Sequence, residues 1–331
     1  MMAECATSNC AIFREVGRRP KACVDVLIAA RDRADTIERA VLSALAQDEV
    51  RTVIVVDDAS TDDTAAKAAR CDPSGNRLIV ERLPSNVGPA AARNRGLQLS
   101  TAPWFAVLDG DDFFLPGRFE ALLSKSDDWD FLADDLVQVR EDQVGKAALK
   151  PVLFGDREEP FALDLESFIL GNIRRHGVLR TELGFLKPLI RRVFIEQCGL
   201  NYDEKLRLGE DYALYIRALA GGARFLIVPA SGYASVIRAD SLSALHSKRD
   251  LECLRDSDVD LLGSGRLTAS QRRALKQHYT SVDCRVQWLR VIDSVKSRQY
   301  AGFLAAFFRS PRVSLFLIQR LIEEFCKRAL P

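Results

Sequence analysis

Apolar runs alternating with amphipathic segments constrain this chain more than any other feature. The runs at 24–30, 52–56, 77–83 and 104–108 are rich in Val, Ile and Leu and predict buried strands. After the first, Ile37, Ala40, Val41, Ala44 and Leu45 recur at helical spacing, with Asp35 and Glu38 placed close to a capping box. Ser60 is the expected N-cap of the second helix, and Pro89 the first residue of a third over 89–99. Alternation with short connections predicts an α/β fold, a mainly parallel central sheet flanked by helices on both faces. Ligands of such sheets bind beyond the carboxyl ends of the strands.

Two acidic groups fall on that edge. Asp57 and Asp58 follow the second run; Asp109, Gly110, Asp111 and Asp112 follow the fourth. Carboxylates converging there repel unless a cation sits between them. Mg²⁺ or Mn²⁺ is the natural candidate, because hard cations take oxygen ligands and share them with substrate phosphates. A turn that only caps the helix near Pro116 would use the same residues. The absence of G-x-G-x-x-G after the first strand argues against an NAD-binding Rossmann domain, and the absence of G-x-x-x-x-G-K-[ST] excludes a P-loop. A metal is then left to neutralise a diphosphate.

At 331 residues the chain can hold one large domain and an accessory region. Lys and Arg number 47 against 46 Asp and Glu, a balance that does not suggest nucleic-acid binding. The eight cysteines are scattered without a C-x-x-C pair and are expected to be reduced thiols. The first twenty residues lack the apolar core of a signal peptide, and no segment offers about 18 uncharged apolar residues. A cytoplasmic location is expected.

Four motifs then make a series: Val55-Val56-Asp57-Asp58 with Ala59 to Asp62, Asn86-Val87-Gly88-Pro89 with Ala90 to Gly96, Leu108 to Asp112, and Gly209-Glu210-Asp211-Tyr212. In this order they resemble the signatures of family 2 glycosyltransferases with the GT-A fold, in particular the succinoglycan type of bacterial exopolysaccharide synthesis. The resemblance implies a catalytic domain at 22–248, with donor half 22–125 and acceptor half 126–248, after a tail at 1–21 and before a helical extension at 249–331. It implies that backbone at Ala29, Ala30 and Arg31 and the carboxylate of Asp58 hold the uracil of a UDP-sugar donor. The carboxylate suits that task because it can accept the imide N–H. Asp109 would meet the ribose side, Asp111 would bind Mn²⁺ or Mg²⁺, and Arg93 would lie near the nucleotide, although pairing with an acid to order the loop is an equal reading. Gly88 is assigned to backbone geometry beside the donor. Where Arg31 stands, family members often carry an aromatic residue; a guanidinium plane can also stack.

Asp211 is the implied catalytic base of an inverting transfer, with Glu210 beside it supporting the helix start or binding acceptor hydroxyls. Phe185 to Arg192 resembles the segment leading to that base, and 168–172 is expected to line the acceptor cleft. Arg238, Ser241 and Ser243 suit diphosphate oxygens in a loop that can fold over the donor, or they belong to a solvated loop. The implied acceptor is a lipid-linked oligosaccharide or polysaccharide, and UDP-glucose is the first donor to test. A sugar-nucleotide nucleotidyltransferase shares this type of sheet, but its glycine-rich basic loop is missing at 29–32. A UDP-sugar-binding protein without turnover is the non-enzymatic alternative.

From about 251 onward the chain reads as helical. Trp288, Val291, Ile292 and Val295 form one stripe, and Ile318, Leu321, Ile322, Phe325 and Ala329 another. Basic residues dominate 272–331. Two roles fit: helices packed on the catalytic domain with a solvated basic face, or a peripheral contact with the anionic inner membrane.

Overall fold

The chain first lays down β1 (Val24–Ala30), α1 (Ile37–Leu45), β2 (Val50–Asp57), α2 (Thr64–Arg70), β3 (Leu78–Arg82), α3 (Pro89–Leu99) and β4 (Trp104–Val107). The structure, a computed structural model, describes residues 23–145, 150–155, 157–173, 182–237, 247–298 and 300–329. The four strands lie parallel in the order β3-β2-β1-β4. β4 is buried at every position and β1 at all but Ala29, as expected for strands covered on both faces. Ala30 pairs with Asp57, so the loops after β1 and β2 leave the sheet side by side.

The second half adds β5 (Phe113–Phe114), α4 (Arg118–Leu123), β6 (Phe131–Arg140), the short β7 (Lys150–Pro151) and β8 (Phe161–Ala162), α5 (Leu165–Gly171), β9 (Leu189–Arg191), α6 (Arg192–Cys198), α7 (Glu210–Ala220) and β10 (Phe225–Ile237). The sheet continues β4-β9-β6-β10-β5 and is mixed, because β9 runs antiparallel to both β4 and β6.

Two expected caps are not used. α1 starts at Ile37 after Thr36, and Asp35 and Glu38 form no capping box. The Thr36 hydroxyl instead donates 2.8 Å to the Gly110 carbonyl, tying α1 to the acidic turn after β4. α2 starts at Thr64 rather than after Ser60. Ser60 is drawn away by Asp57, whose carboxylate accepts from both its N–H and its hydroxyl. Local hydrogen bonds of this kind compete with capping.

α8 (Lys248–Gly263), α9 (Ala269–Lys296), α10 (Tyr300–Phe307) and α11 (Pro311–Ala329) complete the chain. Ser247 with Asp250 and Thr268 with Gln271 make true capping boxes. The main core includes Leu251 and Leu254 of α8 and Leu275 and Val286 of α9. A second, small core gathers Cys284, Val291, Ala306, Val313 and Leu317. The α11 stripe Ile318, Leu321, Ile322 and Phe325 faces outward, and the buried side of that helix is Val313 and Leu317. Among the described residues no helix is long and apolar enough to cross a membrane.

Candidate active site

The loops after β1 and β2 brace one another at the carboxyl edge of the sheet. Asp32 accepts from the N–H of Thr61 at 2.7 Å and from its hydroxyl at 3.0 Å. The N–H groups of Asp32, Arg33 and Ala34 donate to Ser60, Thr64 and Asp62. Asp32 and Ala59 hold left-handed backbone, at φ 49° and 55°. This is backbone strain kept by the surrounding bonds, a condition typical of binding loops.

Two buried cations and three acids form the centre. Arg93 of α3 ion-pairs with Glu210, with Asp109 at 2.8 Å and with Asp211 at 3.6 Å. Lys187, just before β9, reaches Asp211 at 2.6 Å and Asp109 at 3.0 Å. Asp109 and Asp211, far apart in sequence, therefore face one another across shared partners. Burial disfavours the charge on Lys187, but Asp109 and Asp211 outweigh it and hold the ammonium well above its usual pKa. Burial likewise opposes the charge on Asp109, and Lys187 and Arg93 reverse it, keeping that carboxylate well below its usual range. Arg93 and Lys187 thus offset the mutual repulsion of Asp109, Glu210 and Asp211. Asp211 Oδ2 accepts from Lys187, whereas its Oδ1 is buried and accepts no hydrogen bond from the described residues.

Asp111 stands apart, with its carboxylate 3.4 Å from Arg33 and its carbonyl accepting from Arg39 at 2.6 Å. Asp112 turns inward to the Tyr233 hydroxyl and the Val236 N–H, both at 2.8 Å. Burial, then the charges of Asp109 and Asp111, push its pKa up to about 7. Asp58 is buried and spends both oxygens on the N–H groups of Val87 and Gly88, at 2.7 and 2.9 Å. It thereby fixes the loop into α3, where Gly88 holds φ 91°. Its own N–H donates to the Ala30 carbonyl. Arg31 is exposed and lies 3.5 Å from Asp32. Arg238, Ser241 and Ser243 lie outside the described residues.

Lys187 is the residue that sequence reasoning passed over. Its signal was a charge set among apolar residues, Leu186, Pro188 and Leu189. Asn94 is another: its amide bonds the N–H and carbonyl of Tyr202 and the Glu204 carboxylate, steadying the loop into α7. Phe168 does not line a cleft; it is fully buried and stacks on Tyr212 at 5.6 Å. A cleft of about 850 Å³ borders Asn86 to Gly88, Glu204, Lys205, Arg207 and the first turns of α8. Of the expected residues that the structure describes, Gly88 alone lies on its wall.

The strand order, with acids gathered at the carboxyl edge of the sheet, fits a GT-A fold, and the comparisons agree. The family described as glycosyl transferase family 2 matches residues 25–173. Succinoglycan biosynthesis protein ExoU of Rhizobium meliloti (strain 1021) is 46% identical over 284 residues, covering 86% of this chain and 81% of the relative. ExoO of the same organism is 33% identical over 293 residues, covering 87% and 82%. Among solved structures, S. aureus TarS in complex with UDP has a TM-score of 0.58 at 19% identity, covering 77% of this chain and 70% of TarS. Mannosyltransferase PcManGT from Pyrobaculum calidifontis, in complex with GDP-Man and Mn²⁺, has a TM-score of 0.57 at 16% identity, covering 92% and 88%. The chain belongs to glycosyl transferase family 2.

Proposed function

We propose that this glycosyltransferase moves a hexose, with glucose the first to test, from a UDP-sugar to a lipid-linked oligosaccharide or polysaccharide acceptor, with inversion, in exopolysaccharide synthesis. The observation that carries this reading is the convergence of Asp109 and Asp211 on Lys187 and Arg93 at the carboxyl edge of the sheet. The likeness to ExoU supports the exopolysaccharide setting.

Asp211 serves as base. An acceptor hydroxyl oxygen bonds to the anomeric carbon as the bond from that carbon to the diphosphate breaks. The hydroxyl proton passes to Asp211, whose Oδ1 accepts no hydrogen bond from the described residues. Lys187 holds the other oxygen and so orients the carboxylate. Glu210 acts through Arg93 rather than on the acceptor, since the two are paired. Asp58 fixes the loop at 87–88 beside the base of the nucleotide, and the Ala29 to Arg31 backbone borders it.

Mn²⁺ or Mg²⁺ fits at Asp111, which is only partly buried and offers hard oxygen donors at the strand edge. Asp111 would be the carboxylate that holds the ion. Bound there, the ion would offset the charge gained by the departing UDP.

The test is UDP release from UDP-glucose with Mn²⁺, with and without acceptor, in wild type and Asp211→Asn. Transfer is expected to fall by about 10²–10⁴-fold in the variant while UDP affinity holds. Transfer at the wild-type rate would remove Asp211 from the mechanism.

A further inference from the structure

On α11, Leu315, Ile318, Ile322 and Phe325 are 68%, 48%, 58% and 73% exposed. Their spacing of three, four and three residues puts them in one row along the helix. The opposite row, Val313 and Leu317, is fully enclosed by the small C-terminal core. α11 is thus apolar on the side it buries and again on the side it shows to solvent. At the turn before it, Phe308 is 85% exposed, the largest such value among the exposed large hydrophobics. A contiguous apolar face of this kind marks a contact surface rather than ordinary surface scatter.

Charge identifies the occupant. Residues 296–328 carry seven Lys or Arg against two Glu, whereas the rest of the chain carries 40 against 44 acids. Glu323 is spent on Arg320, and Arg309 is paired with Asp283 of α9. Lys296, Arg298 and Arg312 are exposed around the ends of α10 and the start of α11. A second copy meeting this face by a two-fold axis would bring the two basic rims together. Anionic headgroups would neutralise the rim while the row of aliphatic and aromatic side chains enters the acyl boundary.

We propose that the outer face of α11, with Phe308, docks flat on an anionic lipid bilayer. The assignment narrows the contact expected for 272–331 to one helix face and does not depend on which residues perform transfer.

The test is flotation of the full chain with phosphatidylcholine vesicles, with and without phosphatidylglycerol. The expected result is co-flotation with the phosphatidylglycerol-containing vesicles, reduced at least ~10-fold by joint Leu315→Ser, Ile318→Ser, Ile322→Ser and Phe325→Ser substitution. All four side chains are exposed, so circular dichroism and the melting temperature should not change. Should that variant misfold, Lys296→Glu with Arg298→Glu and Arg312→Glu is the second probe, and it should also abolish flotation. Transfer to a water-soluble acceptor should be equal in wild type and variants, which separates failure of docking from failure of the catalytic reading. Three results would overturn the proposal: no flotation of wild type, equal flotation on neutral vesicles, or a concentration-dependent dimer without lipid that the serine variant dissolves.

Discussion

The ammonium of Lys187 lies 2.6 Å from the carboxylate of Asp211, both of them buried. The proposed base is therefore set by a cation on a different element, while its second oxygen lies 3.6 Å from Arg93. Removing one partner of a buried pair leaves an uncompensated charge. Lys187→Met is expected to cost about 3–5 kcal/mol in urea unfolding and to reduce transfer at least ~10²-fold. Stability equal to wild type would mean that the pair does not form in solution.

Gly209, immediately before α7, holds φ +77°, and a Cβ there would meet Leu254 of α8 at 2.9 Å. Gly209→Ala should destabilise by about 1–3 kcal/mol, from left-handed strain and displacement of that leucine. Because α7 begins with Glu210 and Asp211, kcat should fall more than UDP affinity. A KM-only effect would argue against the link.

Tyr212, the neighbour of Asp211, shares a buried cluster with His278 and Asp258. Its hydroxyl is 3.0 Å from His278 Nδ1 and 3.3 Å from Asp258, and His278 lies 2.7 Å from Asp258. His278→Ala leaves Asp258 without its ring partner and should lower unfolding free energy by about 1–3 kcal/mol. Adding Asp258→Asn should recover part of that loss; if it makes matters worse additively, the two residues are not coupled.

Asp283 of α9 responds to pH. Burial raises its pKa, but hydrogen bonds from Arg309, Gln287 and Arg255 outweigh this and hold it below the ordinary carboxylate value. A carboxyl lowered in the folded state stabilises above its unfolded pKa of about 4 and loses that contribution as pH falls through the lower folded value. Stability should therefore decline below about pH 4 less steeply in Asp283→Asn than in wild type, by urea melts across pH. Parallel declines would count against the tie.

Asp111→Asn should remove most of the Mn²⁺-dependent gain in UDP affinity, a drop of at least ~10-fold by titration calorimetry, and EDTA should do the same to wild type. Undiminished Mn²⁺-dependent affinity in the variant would place the ion elsewhere.

The first four strands and α3 were legible because hydrophobic period and Pro89 act locally. The meeting of Asp109 with Asp211 was not readable from spacing; the family resemblance brought those positions together. Lys187 escaped notice because a long-range ion pair leaves no periodic trace. Caps at Asp35 and Ser60 were misjudged where competing partners, Thr36 for Gly110 and Ser60 for Asp57, won the local contest. The outward turn of Ile318, Ile322 and Phe325 was hidden because α11 is apolar on two sides, so periodicity alone names no inner one.

The stacking of Tyr212 on His278, with ring centroids 4.4 Å apart, has a practical corollary. Chimeras that graft the last eighty or so residues from one relative onto another would splice through this aromatic joint, and those that keep both halves of it should be the ones that remain soluble and active.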